Sequence, residues 1–248
     1  MQTIDIDNFS RFIPSAESIK ICTVFPISVT KKYQSGIIYK TENCILIRHK
    51  NNFTFLCGTP NDIEINEIHN LILSEMLKFM CNDNSLCQKI AKLGGVELIP
   101  RDIFIYAAGT APEVHIPESF YLKNIDSELF NKITGRVAPS MYWDNFEQFR
   151  QNGLGVCLMH GNEAASWAFS SAVSDEEVDI GIETAQVFQN RGLAYMAAAA
   201  LINEILPSRR PTWTCQRSNL GSSRTAEKLG FVKSGECILI RKPLNINQ

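Results

Sequence analysis

Residues 182–194 read Ile182-Glu183-Thr184-Ala185-Gln186-Val187-Phe188-Gln189-Asn190-Arg191-Gly192-Leu193-Ala194 and run without a break into an alanine-rich stretch. An apolar strand therefore leads into a tight polar turn, and the turn opens a helix. Backbone N–H groups at a helix N-terminus, with a glycine that lets a ligand approach the main chain, make an anion site that the helix dipole reinforces. The pattern Q/R-x-x-G-x-G/A marks a pyrophosphate-binding turn. It is not a Walker loop, because no Gly-Lys-Ser/Thr follows. Nor is it a dinucleotide fingerprint, because the first glycine of G-x-G-x-x-G is missing. Taken alone, the spacing also suits an ordinary helix that begins with a tight turn.

Working outward, Pro211-Thr212-Trp213-Thr214-Cys215 reads as a strand, and Asn219-Leu220-Gly221-Ser222-Ser223 supplies a polar turn and helix cap ahead of AEKLGF at 226–231. With the strand, turn and long helix before them, these segments resemble the GNAT superfamily of acetyl-CoA-dependent acyltransferases. Within it, SWAFSSAVSDEEVDIGIETAQVFQNRGLAYMAAAALINEIL at 166–206 is similar to the bacterial GNAT acetyltransferase subfamily, which has a diverged N-terminal half. The matching region runs over roughly residues 153–240, a span read from the order of these motifs.

The resemblance implies an acetyl-CoA-dependent N-acetyltransferase that acts by direct attack of a primary amine in a ternary complex. It implies that Ile182, Glu183 and Thr184 end a strand that splays from its neighbour, so that free backbone groups pair with pantetheine and polarise the thioester. Backbone amides of Gln189, Asn190, Arg191, Gly192, Leu193 and Ala194 would take the pyrophosphate. Asn219 would bond the cofactor's amides or order a water, with Ser222 and Ser223 nearby; its plainer role is a turn or cap.

An alkyl amine is almost entirely protonated at neutral pH, so a carboxylate that accepts its proton would help. Asp179, Gly181 and Glu183 share one strand face by period-two alternation. Glu183, the carboxylate nearest the phosphate turn, is the first candidate base and Asp179 the second. The tyrosine that many GNAT enzymes carry in a segment like YEKLGF is Ala226 here. A thiol is a good leaving group, so Ser222, Ser223 or water could stand in for that acid. Tyr142, Trp143, Ser166 and Trp167 are candidate walls of the acceptor pocket, since pockets favour aromatic linings.

The acceptor is not derivable. An amine-bearing antibiotic or toxin, a polyamine, an amino-acid derivative and a protein or peptide amine all fit, and a non-catalytic CoA-binding regulatory module is the reading from another class.

The 248 residues carry a net charge of −2, which gives no electrostatic footprint for nucleic acid. The first twelve residues, MQTIDIDNFSRF, hold neither a basic n-region nor an apolar h-region, and no window is long and apolar enough for a bilayer span. A cytoplasmic protein is expected, acting on a small-molecule amine, with no nucleic-acid or membrane partner; a homodimer is compatible with the sequence. The eight cysteines have no C-x-x-C spacing and read as reduced core residues, and the four histidines are isolated, so no metal site is expected.

Periodicity places a helix at 140–150, a hairpin of strands at 155–159 and 164–172, a strand at 178–184 and the long helix at 190–206. A strand at 211–216, a helix at 222–229 and a strand at 236–242 follow, an α+β order. The N-terminal half offers a meander at 35–39, 44–49 and 52–57, an amphipathic helix at 64–80 and a strand at 103–107. Ala91-Lys92-Leu93-Gly94 ahead of the last of these echoes Glu227-Lys228-Leu229-Gly230. The echo and the matching order of elements suggest a degenerate GNAT-like N-terminal domain, residues 1–120, before a catalytic domain, 121–248.

Overall fold

The computed structural model describes residues 1–244. The chain divides into two compact units, and neither is one run of sequence. The first comprises Met1–Ile103, Gln216–Ser218 and the described residues from Gly235 on; the second comprises Phe104–Cys215 and Asn219–Ser234. A single cut after residue 120 does not reproduce this division. Strand hydrogen bonds, rather than order along the chain, decide where the last segment belongs.

In the first unit, β1 (Gln2–Thr3) is followed by a 3-10 helix (Ile6–Phe12), α1 (Ile13–Ser18) and α2 (Val24–Thr30). The expected meander is present as β2 (Gly36–Lys40), β3 (Cys44–His49) and β4 (Phe53–Gly58), antiparallel in that order. Then come α3 (Asp62–Ser74), β5 (Lys78–Cys81), α4 (Asn84–Lys92) and β6 (Glu97–Tyr106), which ends beyond the unit. The helix expected to reach residue 80 stops at Ser74. Met76 adopts a left-handed backbone at φ 56°, and Leu77 and Phe79 are fully buried. A short apolar run looks the same whether it continues a buried helix or forms a buried strand, which is why β5 was unread. Ile65, Ile68 and Ile72 of α3 pack with Leu46, Phe79 and Ile90 in one core.

In the second unit lie β7 (Tyr121–Asn124), α5 (Ser127–Lys132), a 3-10 turn (Pro139–Met141) and α6 (Phe146–Asn152). The helix expected from 140 begins later, because Asn145 is extended and its side chain caps Gln148 N. Next are β8 (Gly155–His160), β9 (Glu163–Val173), β10 (Glu177–Thr184), a 3-10 turn (Gln186–Phe188), α7 (Leu193–Ile205), β11 (Arg210–Gln216), α8 (Leu220–Lys228) and β12 (Phe231–Arg241). The sheet order is β11-β10-β9-β8-β7, all antiparallel neighbours except the parallel pair β10 and β11. Small side chains at Ala197 and Ala198 let α7 lie close on β8, β9 and β10.

The last strand returns to the first unit. Ile238, Leu239 and Ile240 of β12 pair antiparallel with Cys81, Met80 and Phe79 of β5, and Ile240 joins that unit's core. The fold is α+β, with mixed strand directions and flanking helices. Among the described residues no helix is long and apolar enough to cross a membrane.

Candidate active site

The site grows from a divergence of strands. β10 and β11 share a parallel register over Glu177↔Arg210, Val178↔Pro211 and Asp179↔Thr212. Among the described residues that register ends there, although β10 runs on to Thr184 and β11 to Gln216. Past the apex β10 keeps its other neighbour, with Ile182↔Ala168, Glu183↔Trp167 and Thr184↔Ser166. One edge of Ile182 to Thr184 is thus held by β9, while the other has no strand partner among the described residues. The Thr184 hydroxyl meets Ser166 Oγ at 2.8 Å, and its carbonyl accepts from Gln189 Nε2 at 3.2 Å.

The turn into α7 has the backbone that the sequence pattern requires. Asn190 and Gly192 both lie in the left-handed region, at φ 62° and 76°. Alternating backbone of this kind points successive N–H groups into one concavity, and glycine and asparagine tolerate it best. No side chain caps α7, and its first turn holds no acid. A Cβ built on Gly192 would come no nearer than 4.0 Å to its surroundings, at Met196, so the space over the turn is open. Arg191 folds back on the turn, its guanidinium 5.6 Å from the Phe188 ring centroid. Leu193 is buried and can offer a ligand only its backbone; Ala194 is half-buried.

The polar residues at the start of α8 are engaged within the protein. Asn219 Oδ1 accepts from Ser222 N at 3.1 Å, so this side chain caps the helix. Ser222 Oγ accepts from Trp213 Nε1 at 3.0 Å, and Ser223 Oγ lies 3.4 Å from Cys215 Sγ. Ala226 is fully buried.

The two candidate bases differ sharply. Asp179 is 4% exposed and sits at the apex of the divergence, where Oδ1 accepts from Ser171 Oγ at 2.5 Å and Oδ2 from Thr212 Oγ1 at 3.4 Å. The register shifts beside it, leaving Ser171 unmatched between Ala172↔Asp179 and Ser170↔Ile180. That bulge turns the Ser171 hydroxyl to structural use. These bonds make Asp179 a tie across the apex of the two strands. Glu183 is half-buried at the end of β10, and its Oε2 accepts from Val137 N at 2.7 Å.

Of the four candidate acceptor walls, three are core. Trp143 is completely buried and donates from Nε1 to Ser170 O at 2.8 Å. Ser166 is buried, with its hydroxyl donated to Glu183 O at 3.1 Å, and Trp167 is 3% exposed. Tyr142 remains half-exposed, its ring 5.4 Å from that of Phe169. Burial pushes the Cys157 thiol up to about 12, which removes it as a nucleophile at neutral pH.

Sequence reasoning missed residues 135–137. Gly135 lies against the Glu183 carboxylate, and Val137 bonds to it. A glycine in the polar link between two helices was the only local signal, and 46 residues separate Val137 from Glu183.

Comparisons with known proteins place the chain in a family and a fold. The family model described as GNAT acetyltransferase matches residues 27–239. An uncharacterized N-acetyltransferase of Bacillus subtilis (strain 168), YdfB, is 24% identical over 86% of this chain and 87% of its own. The crystal structure of a GCN5-related N-acetyltransferase-like protein from Streptococcus suis 89/1591 superposes with a TM-score of 0.78 at 21% identity, covering 96% of this chain and 100% of that one. A tandem GNAT protein from the clavulanic acid biosynthesis pathway gives a TM-score of 0.60 at 10% identity, with 95% and 93% covered.

Proposed function

The chain belongs to the GNAT acetyltransferase family, and from that premise we propose that it transfers an acetyl group from acetyl-CoA to a primary amine of a small molecule by direct attack in a ternary complex. The observation that carries this is the uncapped, acid-free start of α7, with left-handed Asn190 and Gly192, beside the divergence of β10 and β11.

Acetyl-CoA supplies an activated thioester. The chain holds its pyrophosphate through the backbone of Gln189, Asn190, Arg191, Gly192, Leu193 and Ala194, where the helix dipole favours negative charge. Backbone groups of Ile182 and Thr184 on the edge of β10 that faces away from β9 bind the pantetheine arm, with Glu183 between them. Asn219, Ser222 and Ser223 line the far side as a closed cap and contribute backbone there. Glu183 accepts the proton of the attacking amine, and Tyr142 borders the acceptor. An amine-bearing antibiotic or toxin is the acceptor class we favour, and a protein or peptide amine is the competing one.

Ala226, buried where related enzymes carry a tyrosine, favours one alternative, a CoA-binding regulatory module without catalysis. Free-thiol release from acetyl-CoA across a panel of amines separates the two. Release that depends on an amine supports transfer; tight acetyl-CoA binding without release on any amine, peptide amines included, supports the module.

A further inference from the structure

Val137 is gripped at both ends of its main chain by two side chains that stand opposite each other on neighbouring strands. Its N–H donates to Glu183 Oε2 at 2.7 Å, and its carbonyl accepts from Trp167 Nε1 at 2.8 Å. Glu183 and Trp167 are direct partners in the antiparallel register of β9 and β10. Opposed residues of such a pair project from the same face of the sheet, so the two side chains hold Val137 much as a third strand would. Two residues earlier the chain passes so close that a Cβ on Gly135 would fall 2.8 Å from Glu183 Cδ, and φ there is 156°, outside the range a side chain tolerates well. Ser166 Oγ fixes the Glu183 carbonyl at 3.1 Å.

A glutamate at a strand end has three free side-chain torsions, and ordering it has an entropy cost. Here one oxygen is fixed by an N–H and the carboxyl face by a residue without a side chain, which leaves a single seat. Resting on the acetyl-transfer reading above, we propose that residues 135–137 are the positioning device for Glu183, orienting its carboxylate so that Oε1 meets the acceptor amine. Gly135, Val137 and Trp167 act through Glu183 and need not touch the substrate. A base held in advance does not have to be reorganised when the proton moves.

A double-mutant cycle on the full chain tests this. Gly135→Ala should lower kcat by about tenfold or more, and Glu183→Gln by about a hundredfold. In the Glu183→Gln background Gly135→Ala should change kcat by less than about twofold, because groups that act through one residue are not additive. Trp167→Phe, which keeps a ring but removes the indole N–H, guards against backbone strain at 135 and should show the same dependence on Glu183 with a smaller loss. Equal losses in both backgrounds, or kcat unchanged by Gly135→Ala, overturn the proposal.

A second arm needs no activity. Exchange of the Val137 amide proton, read by NMR, should speed by about tenfold in Glu183→Ala and stay near the parent value in Glu183→Gln, whose amide oxygen still accepts. Unchanged exchange in Glu183→Ala overturns the clasp even if the parent acetylates nothing, whereas a parent that acetylates nothing while the exchange pattern holds overturns only the functional reading.

Discussion

β4–α3–β5 in the first unit and β10–α7–β11 in the second are the same construction, a strand, a helix of 13 residues and a strand parallel to the first. In both, the parallel register is short and stops before the strands do. In the first unit it ends at Phe55↔Met80, and the strand ends beyond it border a cavity of about 400 Å³. The difference lies where each helix begins. Asn61 caps α3 and Glu64 reaches back to Asn61 N at 2.8 Å, a complete capping box. The Glu64 carboxylate also accepts from Asn43 N at 3.0 Å and Asn43 Nδ2 at 3.2 Å. The Thr41 hydroxyl, then the amides of Asn61 and Asn43, hold its pKa down to about 2, so it is ionised at any physiological pH. The start of α3 has an internal anion; that of α7 has none and no cap. The same strand-helix-strand order thus carries a capped, acid-bearing helix start in one unit and an uncapped, acid-free one in the other, set by a few residues in the turn.

The largest way to sharpen that contrast lies at the ends of the strands, where β10 finishes on Glu183-Thr184 and β4 on Cys57-Gly58. Glu183→Gln should lower acetyl transfer by about 10²-fold or more with acetyl-CoA affinity nearly unchanged. Thiol-release kinetics read it, and a rate equal to the parent's on a good amine would move proton acceptance to water.

Gly192→Glu comes next. A carboxylate and a Cβ introduced over the α7 turn should weaken acetyl-CoA binding by at least about 2 kcal/mol. Calorimetry on the parent should give one site per chain, with the affinity in the variant lower by about thirtyfold or more. Two sites per chain would break the comparison, since the first unit would then hold a cofactor despite Glu64.

A smaller change is expected from Asn61→Ala, which removes the α3 cap and should cost about 1 kcal/mol of stability. It should create no second cofactor site, because Glu64 remains; a gain of CoA binding in this variant would mean that the cap alone seals the helix.

The last effect is confined to acid. Glu64 is depressed from 4.5 to about 2, so its contribution to stability is complete above 4.5 and is lost as pH falls toward 2. Glu64→Gln should flatten the stability of the first unit across that window while leaving the slope at neutral pH alone. A denaturation series at several pH values checks it, and an unchanged acid slope would show that other carboxylates govern it.

The turn at 189–194, the strand before it and the helix after it were legible because their signals are local: alternation, a glycine where φ must be positive, and a run of alanines. The meander of β2, β3 and β4 was legible for the same reason. The burial of Trp143 and Trp167 was not legible, because an aromatic residue beside a motif looks alike whether it walls a pocket or fills a core. Asn219 was weighed as ligand and as cap, and the cap bond to Ser222 N is seen only in the structure. The role of Asp179 turned on a bulge in the neighbouring strand, for which Ser170-Ser171 gives no warning.

By itself, then, the sequence determined the α+β class, the family and the tight turn that opens α7, since each is written in residues adjacent along the chain. Tertiary structure alone decided that β12 completes the first unit's sheet beside β5, that Asp179 is tied to Thr212, and that Glu183 is seated by Val137. Those are hydrogen bonds between residues far apart in sequence, and a backbone donor such as Val137 N is present at every non-proline residue, so no residue type can announce it.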